Sequence, residues 1–171
     1  MIRILWILLF VASSVLWARD FDESRVDAKS LMLADVPCKG CDWTRGGIEY
    51  IQCQQNNEIV EYGSGPMGGW KYVDGVRVFK GDIRGIKPCL VRFSFSNGFR
   101  LGMTQDEVLK KGLAFKQESD SVWIWEKWKR LGPTTPDDPN DWHDWLGYEI
   151  RFCKNKVCNI YFWHNQPDSG P

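Results

Sequence analysis

The sequence is poor in the side chains that chemistry most often needs. Only two histidines, His143 and His164, occur in 171 residues. No G-x-S-x-G elbow, H-E-x-x-H pair or other strong metal spacing is present, so serine-hydrolase and zinc-protease chemistry have no foothold. The glycine-rich run 63–69 has no lysine in phosphate-loop position, which removes nucleotide binding of that kind. Excess charge is missing as well. Lys and Arg total 22 against 22 Asp and Glu, which argues against a surface built to neutralise nucleic-acid phosphates. The apolar run within residues 4–18 is shorter than the roughly 20 residues of an ordinary membrane span. The acidic stretch from Asp137 to Asp144 lacks the glycine and distal glutamate of an EF-hand loop. No internal repeat stands out, and neither a cofactor nor a metal site is indicated.

What the chain does have is aromatic mass, cysteine and an export signature. Aromatic residues make up 14%, including 10 Trp. Residues 1–18 read as a secretory signal peptide, with Arg3 as the positive region, an apolar core over 4–11, and Ser13, Ser14 and Ala18 as the small residues of a cleavage zone. Cleavage after Ala18, cleavage after Ser14 and retention as an anchor all fit. Removing Arg3 leaves 21 basic against 22 acidic side chains. Six cysteines follow, Cys38, Cys41, Cys53, Cys89, Cys153 and Cys158, and in an oxidising compartment an even number points to disulfides. Six allow 15 pairings. The Cys38-Lys-Gly-Cys41 motif is followed by turn residues, not a helix, and no second CxxC exists, so bridging is favoured over redox or zinc chemistry.

Periodicity predicts a single domain over residues 19–164, with 165–171 a disordered tail. Strands are expected at 48–54 and 59–62, at 70–73 and 76–80 around an Asp74-Gly75 hairpin turn, at 89–95, at 122–128, and at 148–154 and 157–164 around Asn155-Lys156. That last turn sets Cys153 opposite Cys158 and predicts a cross-strand bridge. The sharpest punctuation lies at 99–112. Thr104 is an N-cap, Glu107 completes a capping box, Met103 can staple onto Val108, and Gly112 closes the helix. The expected class is α+β: an antiparallel sheet with one short capped helix packed on it, braced by disulfides.

Two clusters are candidates for function. Glu149, Arg151 and His164, on adjacent strands, would supply base, oxyanion-stabilising cation and acid for a small secreted hydrolase or ribonuclease. The expected register sets all three on one face. The second cluster is aromatic. Trp123 and Trp125 share the buried face of their strand. Trp142 and Trp145 fall in the proline-rich stretch 131–147, which reads as a loop. With Asp141, His143 and Asp144 they form the candidate partner-binding set, since aromatic residues beside acids recur at binding hot spots. A platform for stacking glycan or peptidoglycan would use the same residues.

The segment Phe99-Arg-Leu-Gly-Met-Thr-Gln-Asp-Glu-Val108 resembles the G-M-T-x-x-x-V signature of BamE/SmpA-like domains, which also occurs in the beta-lactamase-inhibitor proteins. Gly102, Met103, Thr104 and Val108 carry the match. The resemblance covers the C-terminal half and implies a helix on an antiparallel sheet. The lipid-bearing cysteine of BamE and the proline after its helix-closing glycine are missing, so it implies inhibitor-type or immunity-type binding in place of outer-membrane assembly. The expected activity is therefore non-catalytic binding, in the periplasm or outside the cell, of a protein such as a secreted or cell-wall-targeting enzyme.

Overall fold

The computed structural model describes residues 36, 43–45, 49–64, 73–132 and 142–165. The expected leader, Cys38, Cys41 and residues 166–171 lie outside them. Eight strands occur in the order β1 (Trp43–Arg45), β2 (Glu49–Gln55), β3 (Glu58–Ser64), β4 (Gly75–Phe79), β5 (Lys116–Ser119), β6 (Val122–Gly132), β7 (Trp142–Cys153) and β8 (Lys156–Asn165). All pair antiparallel in one sheet, ordered β1-β2-β3-β4-β8-β7-β6-β5. Two four-stranded meanders are thus joined edge to edge where β4 meets β8. Turn chemistry sets the tight hairpins. Asn56 and Asn57 between β2 and β3, and Lys154 and Asn155 between β7 and β8, all adopt positive φ, the geometry that matches strand twist in two-residue hairpins.

Period-two alternation then sorts the side chains onto two faces. Cys53, Val60, Val78, Ile160, Ile150 and Trp123 form one cross-strand row, and Ile51, Tyr62, Val76, Phe162, Tyr148 and Trp125 form the next. All but Trp125 are buried. The chain between β4 and β5 packs against this face with Phe93, Phe95, Phe99, Met103 and Val108, each at most 5% exposed. Edge-to-face ring contacts run from Tyr62 through Phe93 and Phe95 to Tyr148 and Phe99, with centroids 5.0–6.0 Å apart. The Cys53–Cys89 disulfide fixes the segment to β2. Beside it the Gln55 side chain bonds both the N–H and the C=O of Phe93, each at 2.8 Å.

The α+β expectation is corrected by this arrangement. The described residues are mostly antiparallel sheet, and their helix, α1 (Gln105–Leu109), has five residues. The Thr104–Glu107 capping box forms, but Gly112 at φ +80° ends the segment almost at once. A helix this short cannot form a layer. Only Val108 of α1 is buried, and Leu109 is 53% exposed. The aromatic segment 93–99, which turns at Ser96-Asn97, does most of the covering that the helix was expected to do.

Two strand expectations change as well. Residues 89–95 alternate in burial as expected, yet they are extended chain held by Gln55 and not a ladder strand. Asp74-Gly75 is no hairpin turn, because Gly75 begins β4 and pairs with Gly63 and Trp163. A Cβ on Gly75 would stand 2.8 Å from the Tyr161 ring, so this glycine makes room for a side chain on the neighbouring strand.

Candidate functional site

The face opposite the core carries the candidate site. Its middle row reads Gln52, Glu61, Arg77, Tyr161, Glu149 and Ile124 across β2, β3, β4, β8, β7 and β6. Gln52 Nε2 donates to Glu61 Oε2 at 2.7 Å, and Arg77 Nη1 donates to Glu61 Oε1 at 3.4 Å. The Arg77 guanidinium lies 4.9 Å above the Tyr161 ring, a cation–π contact. Burial, with the Asp74 charge second, pushes the Tyr161 phenol up to about 12.

From Tyr161 an aromatic ladder continues along the same face. Tyr161 meets Trp163 at 5.6 Å, Trp163 meets Trp145 edge-on at 5.8 Å, and Trp145 stacks on Trp128 at 4.9 Å with only 17° between planes. Glycine makes the ladder possible. A Cβ on Gly147 would stand 2.5 Å from Trp163 Cζ2, so the indole lies against bare backbone. Exposure rises along the ladder from Trp163 at 8% to Trp128 at 55%. Trp128 Nε1 also donates to Glu126 at 3.3 Å.

Trp128 and Trp145 stand near the root of a two-stranded arm. The last β7–β8 pair is Trp145 with Asn165, whereas β6 and β7 continue through Lys129–Asp144, Arg130–His143 and Gly132–Trp142. The stretch expected to be a loop is therefore in part the start of β7. Trp142, His143, Asp144 and Trp145 are all strand residues, while Asp141 lies outside the described residues. Asp144 and Trp145 point to opposite faces. Asp144 lies 2.7 Å from His164 Nε2 on the core side, tying the arm to β8, and Trp145 joins the ladder.

The catalytic trio does not assemble. Glu149 and Arg151 pair with each other on the ladder face, while His164 lies on the opposite face with Asp144. The turn occupies Lys154 and Asn155, one residue earlier than expected, and a register shift follows between Arg151 and Phe152. Beyond that shift the net slip of one residue turns the β8 side chains from Asn159 onward to the other face relative to β7. His164 bonds no hydroxyl among the described residues, and Ser64 in the same row is two strands away. Among the described residues these three side chains form no nucleophile–base pair.

Cys153 and Cys158 do form the expected bridge, and every described cysteine is in a disulfide. Among the described residues no group of three or more His, Cys, Asp or Glu could hold a metal ion, and no helix is long and apolar enough to cross a membrane. Both disulfides are consistent with maturation in an oxidising compartment. Sequence reasoning missed Trp163, Tyr161 and Arg77. The signal for them was glycine inside strand patterns at Gly75 and Gly147, which marks close approach of another group. No family model, curated protein or solved structure matches the chain, so the likeness to BamE/SmpA-like domains rests on Gly102, Met103, Thr104 and Val108 alone.

Proposed function

We propose that this is an exported, non-catalytic binding protein that grips a protein partner in the periplasm or outside the cell, as an inhibitor or immunity protein does. One observation carries the reading: Trp128 is 55% exposed and stacked on Trp145 at the root of a two-stranded arm. A ring already fixed by its neighbour loses little freedom on binding, which lowers the ordering cost of association. Tryptophan, tyrosine and arginine dominate binding hot spots, and Trp128, Trp145, Trp163, Tyr161 and Arg77 form one continuous run here. The charges beside the Arg77–Tyr161 end of the run are paired internally, Glu61 with Arg77 and Glu149 with Arg151, and Glu126 at the other end accepts from Trp128 Nε1. The partner surface that fits is therefore an apolar cleft wide enough for the arm, not a strongly charged patch.

A glycan ligand is the second reading, favoured by the flat exposed face of Trp128, on which a sugar ring can stack. Native envelope extract passed over the immobilised protein separates the two. A partner protein retained by wild type and lost with Trp128→Ala supports the first. Equal retention by both chains removes the arm from the interface. Saturable tryptophan quenching by cell-wall fragments, with no protein retained, selects the glycan.

A further inference from the structure

A cationic depression lies at the other end of β8 from the arm. The lead-in to α1 is bonded there, with Gly102 N–H donating to Val157 C=O and Val157 N–H to Met103 C=O, both at 2.8 Å. Val157 and His164 are about 23 Å apart along an extended strand, so the depression is separate from the ladder. It has a volume of about 340 Å³ and is lined by Gly98, Arg100, Met103, Glu107, Lys110 and Lys111.

Its charge is unbalanced. Three cations face one acid, a lining charge of 3 − 1 = +2, in a chain whose net charge is zero. Glu107 is already engaged, its Oε2 accepting from Thr104 N–H at 2.8 Å and from the Thr104 hydroxyl at 3.2 Å. None of the three cations makes an ion pair among the described residues. Lys111 reaches across to Gly98: a Cβ there would stand 2.9 Å from its Nζ. Gly98 at φ +73° thus keeps open the space that the ammonium uses.

We propose that this depression binds a phosphate monoester bearing a small organic group. The planar fork of Arg100 matches two phosphate oxygens, and Lys110 and Lys111 add point charges. The lining charge of +2 equals that of a monoester dianion with opposite sign. The volume exceeds a bare phosphate, and Met103 offers an apolar wall for the organic part. Such a group can come from a soluble ester or from a lipid headgroup.

The test uses the full chain. Titration with glycerol 3-phosphate, followed by amide NMR shifts, is expected to saturate one to one, with affinity falling as salt rises. The Arg100→Gln/Lys111→Gln variant should weaken binding by about tenfold or more, while Lys127→Gln/Lys129→Gln leaves it unchanged. All four side chains are exposed, so unchanged amide spectra outside the site will verify folding. Absence of saturation, equal binding by the Arg100/Lys111 variant, or an equal response to glycerol overturns the proposal. Co-sedimentation with vesicles of phosphatidic acid but not phosphatidylcholine assigns the lipid source. Saturation by the free ester with no vesicle binding assigns the soluble one.

Discussion

Alanine at Gly147 is expected to destabilise the protein even though alanine in a strand interior ordinarily helps by about 0.5–1 kcal/mol. The added Cβ would stand 2.5 Å from Trp163 Cζ2 and 2.6 Å from the Trp125 carbonyl oxygen. Trp163 is only 8% exposed and packs against Trp145 and Tyr161, so its ring has little room to retreat. The carbonyl belongs to a paired strand and cannot retreat without loosening β6 from β7. Overpacking costs about 1–3 kcal/mol; with both a ring and a backbone oxygen inside 3.0 Å the upper part, about 2–3 kcal/mol, applies and leaves a net loss of about 1–2 kcal/mol. Thermal unfolding should fall by about 3–6 °C, and the urea midpoint should drop with an unchanged slope. A double-mutant cycle with Trp163→Leu isolates the ring. Removing the indole should relieve part of the alanine penalty, giving a coupling above about 0.5 kcal/mol. A Gly147→Ala chain that melts at or above wild type, or effects that simply add, would refute the claim that Trp163 lies on bare backbone.

The two disulfides should differ in weight, since loop-closure entropy assigns about 4 kcal/mol to a 36-residue separation and about 2 kcal/mol to a separation of 5. Urea titration of Cys53→Ala/Cys89→Ala against Cys153→Ala/Cys158→Ala should place the first well below the second; the reverse order would contradict the loop-closure argument. The bonds from Thr104, with the Arg100 and Lys110 charges behind them, hold Glu107 below the ordinary glutamate range. Its contribution is present above that range and is lost as pH falls through the lowered value, so the stability gap between wild type and Glu107→Gln should close on acidification. Burial raises the phenols of Tyr62 and Tyr161, the latter to about 12. Raised phenols cost stability as pH climbs from 10 to 12. Tyr161→Phe should therefore move the alkaline unfolding midpoint upward, read by the 295-nm phenolate absorbance.

Short-range chemistry was the legible part of this fold. The Asn56-Asn57 turn and the Thr104–Glu107 box need only neighbouring residues, the last turn is expected one residue past its Lys154-Asn155 position, and the alternation of β2, β3 and β8 survives without knowing their partners. Long-range facts were not legible. The well-punctuated helix drew attention because capping is a local signal, while the covering of the sheet depends on where Phe93, Phe95 and Phe99 land. At the site, Trp145 was visible, but the prolines and aspartates upstream of it hid the start of β7. The misplaced face of His164 came from a slip of one residue beside the last turn. Gly75 and Gly147 read as turn or spacer until the rings that occupy their missing side chains are seen.

The seam between β4 and β8 has a consequence for how the chain comes together. Gly75 pairs with Trp163, so the first meander must wait for almost the last residues to arrive, and such distant pairings are slow to form. Until then β4 is an open border offering its hydrogen-bonding groups to any extended peptide. In any N-to-C delivery, from the ribosome or through the pore that the proposed export requires, the half-finished molecule presents that border for as long as β8 is still in transit. Truncation anywhere before Asn159 would make the exposure permanent, and self-association of such fragments is its expected sign.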